Sequence, residues 1–103
     1  MREAKDLNGD RAAREAEEAL GSRGRIRLLK ALVEAQKSGC AASMSKLKAA
    51  TRLKGQSLRA RIETLMKYGW VEEVQTAEGR KYRLKENGKT EAVKKLFMEL
   101  GYL

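Results

Sequence analysis

The stretch MSKLKAATRLKGQSLRARIETLMKYGWVEEV, residues 44–74, decides the fold. Its segment KLKAAT predicts a short helix, and Gln56–Tyr68 predicts a longer one that Gly69 ends. The turn RLKG between the two helices gives the spacing of a helix-turn-helix. The longer helix carries one apolar stripe, made of Leu58, Ile62, Leu65 and Met66.

The short helix has its own predicted cap and core face. Ser45 is the N-cap candidate, because a serine side chain accepts a hydrogen bond from a free N–H of the first turn. Leu47 and Ala50 are expected to face inward.

Downstream, the apolar period changes from that of a helix to two. Residues 70–75 and 80–84 predict strands, and Thr76–Gly79 predicts the turn of a β-hairpin. Tyr82 and Leu84 alternate with charged residues, as expected when one hairpin face packs on helices and the other meets solvent.

Two further helices are predicted on the N-terminal side. Asp10 is the cap candidate for RAAREAEEAL, a helix whose apolar face is mostly alanine, so we expect it to fray or to pack only on a partner chain. Ser22 is the cap candidate for a core helix that ends near Ser38–Gly39 and has helical spacing of Ile26, Leu28, Leu29, Leu32 and Val33.

Asn87–Gly88 precedes a last amphipathic helix whose apolar residues are Val93, Leu96, Phe97 and Leu100. The predicted fold class is therefore mostly α with a two-stranded hairpin (α+β), a winged helix-turn-helix with flanking N- and C-terminal helices. Three parts follow: a charged segment or helix over 1–21, the winged helix-turn-helix over 22–85, and the C-terminal helix over 86–103.

The positive charge lies in the body of the chain. Of 103 residues, 23 are Lys or Arg and 14 are Asp or Glu, and residues 1–20 hold only four of these bases against six of the acids. Between Glu34 and Glu63 there is no acid at all. Solvated faces usually mix both signs, so a single-sign surface indicates nucleic acid as the partner.

Several function classes lack their residues. The chain has no histidine and one cysteine, Cys40, which excludes a zinc site. It has no Gly-rich phosphate loop and no convincing acid pair, so we expect no cofactor, no metal and no enzyme activity. A lone cysteine and the lack of an apolar span or signal sequence favour the cytoplasm, associated with the nucleoid, and no membrane.

The polar side of the longer helix fits the major groove of DNA. With the apolar stripe inward, two arginines, Arg59 and Arg61, flank an outward side that is small or polar. This outward side consists of Gln56, Ala60, Glu63, Thr64 and Lys67. Gln56 can offer a bidentate amide to adenine, and the arginines can reach guanine or phosphates. The candidate DNA-binding residues are Ser45, Lys46, Lys48, Arg52, Lys54, Gln56, Ser57, Arg59, Ala60, Arg61, Lys67, Arg80 and Lys81.

Residues 44–74, followed by EGRKYRLKENGK, resemble the winged helix-turn-helix of small archaeal and bacterial transcription regulators of the ArsR, MarR and PadR groups. The most specific element is L-x-x-Y-G-W-V-E-E, residues 65–73. The resemblance covers about residues 22–100 and implies a repressor that binds double-stranded DNA as a homodimer. It also implies dimer contacts through the final helix, alone or together with the N-terminal one, at Val93, Leu96, Phe97 and Leu100. The alternative is that the final helix packs within its own subunit.

One position departs from the family pattern. Arg52 stands where such turns commonly have a glycine with positive φ, and an arginine there would cost on the order of 1 kcal/mol. The alternative is a longer turn in which Gly55 absorbs the bend and the longer helix starts a residue or two later. Metal-sensing clusters of Cys or His are absent, and an effector ligand stays unknown.

Two other functions remain open at this stage. The chain could be an architectural or segregation protein that coats DNA with little sequence preference, which the high charge favours. It could also be a winged helix that binds RNA or protein through its apolar final helix, although Trp70, Tyr68 and Tyr82 do not form a stacking platform for single strands.

Overall fold

The computed structural model describes residues 2–103, with side chains from residue 11 onward. It has five helices and three strands, α1 (Arg2–Leu20), α2 (Arg23–Lys37), β1 (Ala42–Ser43), α3 (Met44–Thr51), α4 (Gly55–Lys67), β2 (Val71–Thr76), β3 (Gly79–Leu84) and α5 (Gly88–Glu99). The predicted winged helix-turn-helix is confirmed, with helices on either side of it and one strand more than the sequence indicated.

The N-terminal helix begins earlier than expected and packs on its own chain. α1 starts at Arg2, so the prediction that Asp10 caps it is wrong. Ala19 is 1 % exposed and Leu20 packs against the core, which corrects the expectation that this helix frays or packs only on a partner. A side chain at Gly21 would collide with the carbonyl oxygen of Glu17, so glycine lets α2 follow α1 closely.

The core helix α2 forms as predicted. The hydroxyl of Ser22 accepts a hydrogen bond from the backbone N–H of Arg25 at 3.2 Å, and the helix ends at Ser38 with Gly39 in a left-handed conformation. Its buried residues meet those of α3 and α4 in the centre of the fold, at Leu28, Leu29, Leu32, Leu47, Leu58 and Ile62.

The sheet has the strand order β1-β3-β2 and is antiparallel throughout. The hairpin β2–β3 has Thr76 opposite Gly79 and a two-residue turn between them. β1 was not predicted, because two residues carry no periodicity that sequence could reveal. It pairs Ala42 with Tyr82 and Ser43 with Lys81, which anchors the hairpin to the segment before α3.

The last helix has two apolar sides instead of one. A capping box at Asn87 and Thr90 begins α5. Val93 and Phe97 are buried in the core, and Tyr102 closes over Phe97 with ring centroids 5.1 Å apart. No described helix has the length and apolar character needed to cross a bilayer.

Candidate nucleic-acid interface

The start of α3 is fixed by the sheet. Ser43, not Ser45, is the N-cap: its hydroxyl accepts from the backbone N–H of Lys46 at 3.2 Å. Pairing with β3 holds Ser43 in the extended conformation that a cap needs, a constraint that local sequence did not reveal. Ser45 lies exposed in the first turn, and Ala50 is also exposed, so the prediction that Ala50 faces inward is wrong.

The turn between α3 and α4 keeps the tight geometry. Arg52 has φ 61° and ψ 21°, in the left-handed region, and its N–H donates to Lys48 O at 2.8 Å. Gly55 has no positive φ, so the longer turn bending at Gly55 is wrong. Thr51 supports the turn from inside, donating to Leu47 O at 2.8 Å and accepting from the Leu53 N–H at 3.2 Å.

The longer helix therefore begins at Gly55, one residue before the predicted start, and ends at Lys67. Its stripe is buried as expected at Leu58, Ile62 and Leu65, while Met66 is half-buried. Eleven of the thirteen candidate residues are exposed, and Arg61 and Lys81 are half-buried.

Cations surround the first turn of α4. Unlike α2, α3 and α5, α4 has no side-chain cap, since Lys54 at its N-cap position makes no such hydrogen bond. The ammonium of Lys48 lies 3.6 Å from where a Cβ at Gly55 would stand, so it reaches this helix start. Free N–H groups and the positive end of the helix dipole favour an anion at such a position.

Five exposed cations lie along this surface. Within residues 11–103, the salt bridges involve none of them. They are Lys46, Lys48, Arg52, Lys54 and Arg59, and we call this set the helix-turn-helix cations.

A groove connects α4 to the hairpin. Its volume is about 380 Å³, and Arg59 from α4 and Arg80 from β3 both line it. The other lining residues are Met44, Gln75 and Tyr82, none of which sequence reasoning proposed for the site. The sequence did give a signal for Tyr82, because the alternation along its strand predicted that this residue faces inward. The groove itself depends on the packing of α4 against the sheet, which no local pattern indicates.

The two candidate cations of the hairpin lie on opposite faces, because successive strand residues alternate. Arg80 shares the groove face and its Nε lies 3.2 Å from Glu73 Oε2. Lys81 points to the other face, where its ammonium donates to Glu78 at 2.8 Å and lowers the pKa of that carboxyl. Only Arg80 joins the surface that α4 presents.

Of the four predicted dimer contacts, two are taken by the chain's own core. Val93 and Phe97 are 7 % and 3 % exposed, whereas Leu96 and Leu100 are 46 % and 70 % exposed. The exposed pair lines an apolar groove of about 520 Å³ between α5 and the α1–α2 corner, together with Leu20, Arg23, Ile26, Phe97, Gly101 and Tyr102.

Comparison with solved structures supports the fold. The chain is similar to the transcriptional repressor BigR from Xylella fastidiosa, with a TM-score of 0.72 and 22 % identity over 95 % of this chain and 91 % of that one. HlyU from Vibrio cholerae has a TM-score of 0.65 and 18 % identity over 87 % and 92 %.

MepR from S. aureus, solved bound to ethidium bromide, has a TM-score of 0.61 and 14 % identity over 98 % of this chain and 77 % of that one. No family model matches the sequence, and no curated protein matches it significantly. The chain thus has the winged helix-turn-helix fold, in the form found in these three proteins.

Proposed function

We propose that the chain is a transcription regulator, a repressor, that binds double-stranded DNA as a homodimer and catalyses no reaction. In this proposal α4 is the recognition helix in the major groove. The hairpin β2–β3 is the wing and lies along the backbone or in the minor groove. The protein would act at the nucleoid in the cytoplasm, without a metal or cofactor.

The observation that carries the proposal is the set of helix-turn-helix cations, which have no salt-bridge partner among residues 11–103. Five exposed positive charges with no acid among them repel one another, which a polyanion would relieve. These cations lie on α3, on the turn and on the first turns of α4. In a helix-turn-helix bound to DNA, these parts contact phosphates on both sides of the major groove.

Base readout is assigned to the exposed polar side of α4. Gln56, Ser57 and Ala60 are exposed near the N-terminal end of this helix. A glutamine amide can bond adenine at two atoms, and alanine lets the helix approach the base edges closely. Sequence preference is therefore expected from these residues, and affinity from the cations around them.

The groove between α4 and the wing supports contact with the backbone that separates the two DNA grooves. Arg59 and Arg80 lie along one cavity of about 380 Å³. Arg80 can turn from Glu73 to a phosphate at little cost, because its side chain is 60 % exposed and exposed ion pairs contribute little.

The dimer is assigned to the apolar groove at α5. Leu96 and Leu100 stand exposed beside a groove with an almost wholly apolar lining, and a second copy of the chain would bury both. A palindromic site requires a two-fold axis that puts the two recognition helices on one side of the dimer.

The test is selection of duplexes from a random pool at two salt concentrations, followed by sequencing of the bound fraction. Enrichment of a palindrome with half-sites about one helical turn apart is the expected result. Binding that is lost with salt and shows no enrichment would favour a protein that coats DNA.

A competition with structured and single-stranded RNA completes the experiment. The duplex is expected to win, because the exposed aromatic platform that single strands need is missing from residues 11–103: Trp70 and Tyr82 are 5 % and 7 % exposed. Failure to bind any duplex at either salt concentration would refute the proposal.

A further inference from the structure

The junction between α4 and the wing consists of Tyr68, Gly69 and Trp70, and two carboxylates of α1 hold it. The hydroxyl of Tyr68 donates to Glu18 Oε1 at 3.1 Å. The indole N–H of Trp70 donates to Glu15 Oε2 at 2.7 Å. The two acids are 50 and 55 residues away from their partners along the chain, so no local pattern indicated these contacts.

Glu15 also binds the last helix. Lys89, in the first turn of α5, donates from Nζ to the same Oε2 atom at 2.5 Å. The carboxylate is 17 % exposed, and the hydrogen bonds from Lys89 and Trp70 lower its pKa. One side chain therefore joins α1, the junction and α5.

The two ends of the wing meet at this point. The N–H of Lys85, just after β3, donates to Trp70 O at 2.9 Å, and the Asn87 side chain donates to Gly69 O at 2.9 Å. Gly69 has φ 81°, a conformation that suits a change of direction. A displacement of Trp70 would thus carry both ends of the wing with it.

We propose that Glu15 is a positioning residue, which fixes the angle between the wing and α4 through Trp70 and ties that angle to α1 and α5. The inference rests on the proposed function, because the angle matters to binding only if wing and α4 contact the same duplex.

The test compares Glu15→Ala with Glu17→Ala, a matched control. Glu17 is exposed on the same helix, and both variants remove one negative charge. By charge alone, both should bind a polyanion slightly more tightly. Glu15→Ala is instead expected to bind duplex about fivefold more weakly than Glu17→Ala, within the range for coupling between distant sites.

A second variant of the wing distinguishes a positioning role of Glu15 from a purely stabilising one, when Glu15→Ala is combined with it. In Arg80→Ala/Lys81→Ala, the wing has lost its two candidate DNA-binding cations and keeps only Arg83, which is paired with Glu72. Its angle should then matter little, and Glu15→Ala should cause no further loss. Equal losses in both backgrounds, or Glu15→Ala behaving like Glu17→Ala, would overturn the proposal. Circular dichroism establishes that each variant is folded at the temperature used.

A measurement without DNA decides the case if no duplex binds. Trp70 is the only tryptophan, so its emission reports on the junction alone. Glu15→Ala is expected to shift this emission to the red and to speed amide exchange over residues 70–85, with Glu17→Ala unchanged. Unaltered emission and exchange would refute the positioning role, whereas a wild-type protein that binds no duplex would refute only the proposed function.

Glu15→Gln keeps an acceptor for the indole and loses the charge that attracts Lys89. It is expected to give a smaller effect than Glu15→Ala in every measurement. If Glu15→Ala does not fold, Glu15→Gln takes its place with the same expected signs and the same refuting outcomes.

Discussion

Charged side chains are paired differently on two surfaces of the molecule, one formed by α3 and α4 and the other by α1 and α5. Around α3 and α4, Lys46, Lys48, Arg52, Lys54 and Arg59 have no acid partner among residues 11–103. Around α5, Lys89 is paired with Glu15 and Lys94 with Glu91, and leucines are exposed instead. The α3–α4 surface thus presents positive charge that suits a polyanion, and the α5 surface presents exposed apolar side chains.

The net charge of the chain does not indicate which of these two surfaces offers positive charge to a partner. The chain carries +9, but most of its acids lie in α1, the wing and α5. Five of them are paired with cations there, namely Glu15, Glu72, Glu73, Glu78 and Glu91. Four mutational and pH experiments test whether the two surfaces differ in this way.

The largest effect is expected from Leu96→Glu with Leu100→Glu. Two charges in the apolar groove should separate the dimer and lower affinity for a palindromic duplex about 100-fold or more, because the second half-site is no longer bound in the same event. Sedimentation equilibrium and duplex titration measure the two effects.

Met98→Glu is the matched control for that pair. Met98 is 62 % exposed on the same helix but lines a different groove, with Lys37, Lys95 and Leu103. It should leave the dimer intact. A monomeric wild type, or a Met98 variant that alone becomes monomeric, would contradict the assigned dimer surface.

The second effect is expected from Lys54→Ala with Arg59→Ala. Loss of two phosphate contacts should weaken duplex binding roughly 50-fold near 0.1 M salt and reduce the slope of log affinity against log salt by about 2. Lys37→Ala with Lys95→Ala removes the same charge from exposed positions outside the helix-turn-helix. If both pairs lose affinity equally, the binding surface is not at α4.

The third effect separates stability from binding at Arg52. Arg52→Gly should raise the unfolding free energy by about 1 kcal/mol, since glycine adopts φ 61° without strain. It should also lower duplex affinity roughly eightfold through the loss of one cation.

Urea unfolding measures the gain in stability, and titration of the same sample with duplex measures the loss of affinity. Arg52→Lys keeps both the charge and the strain, so it should change neither quantity much. A glycine variant that binds as tightly as wild type would mean that Arg52 does not touch the duplex.

The smallest effect concerns pH. The hydrogen bonds from Lys89 and Trp70 lower the pKa of Glu15 below its ordinary 4.5, so its ionised form stabilises the folded state. This contribution is complete above 4.5 and is lost as pH falls through the lowered pKa.

The stability difference between wild type and Glu15→Gln should therefore shrink between pH 7 and acid pH, measured by urea unfolding at each pH. Glu17→Gln removes the same charge from an exposed position of the same helix and supplies the control. A difference that is constant with pH would mean that the charge of Glu15 does not contribute to the stability of the fold.

Much of the fold was predictable from local signals. The stripes of α2 and α4, the cap at Ser22, the break at Asn87–Gly88 and the hairpin all depend on spacing within a few residues. The cations of the candidate interface could also be located, because a run without acids between Glu34 and Glu63 is visible in the sequence.

Other features needed contacts between distant residues. Pairing with β3 created β1 and made Ser43, not Ser45, the cap of α3. The packing of α5 on the core buried Val93 and Phe97 and left Leu96 and Leu100 outside. An amphipathic pattern gives the apolar side of a helix but not which of its residues meet the chain's own core.

Local sequence patterns were enough to predict the helix-turn-helix, the hairpin and the position of the cations, because helical period, turn chemistry and charge are properties of neighbouring residues. Packing was needed to bring Arg59 and Arg80 to one groove and to join Trp70 to Lys89 through Glu15. These features depend on residues brought together by packing, and their sequence separations, 55 and 74 residues for the two Glu15 contacts, exceed the reach of any local pattern.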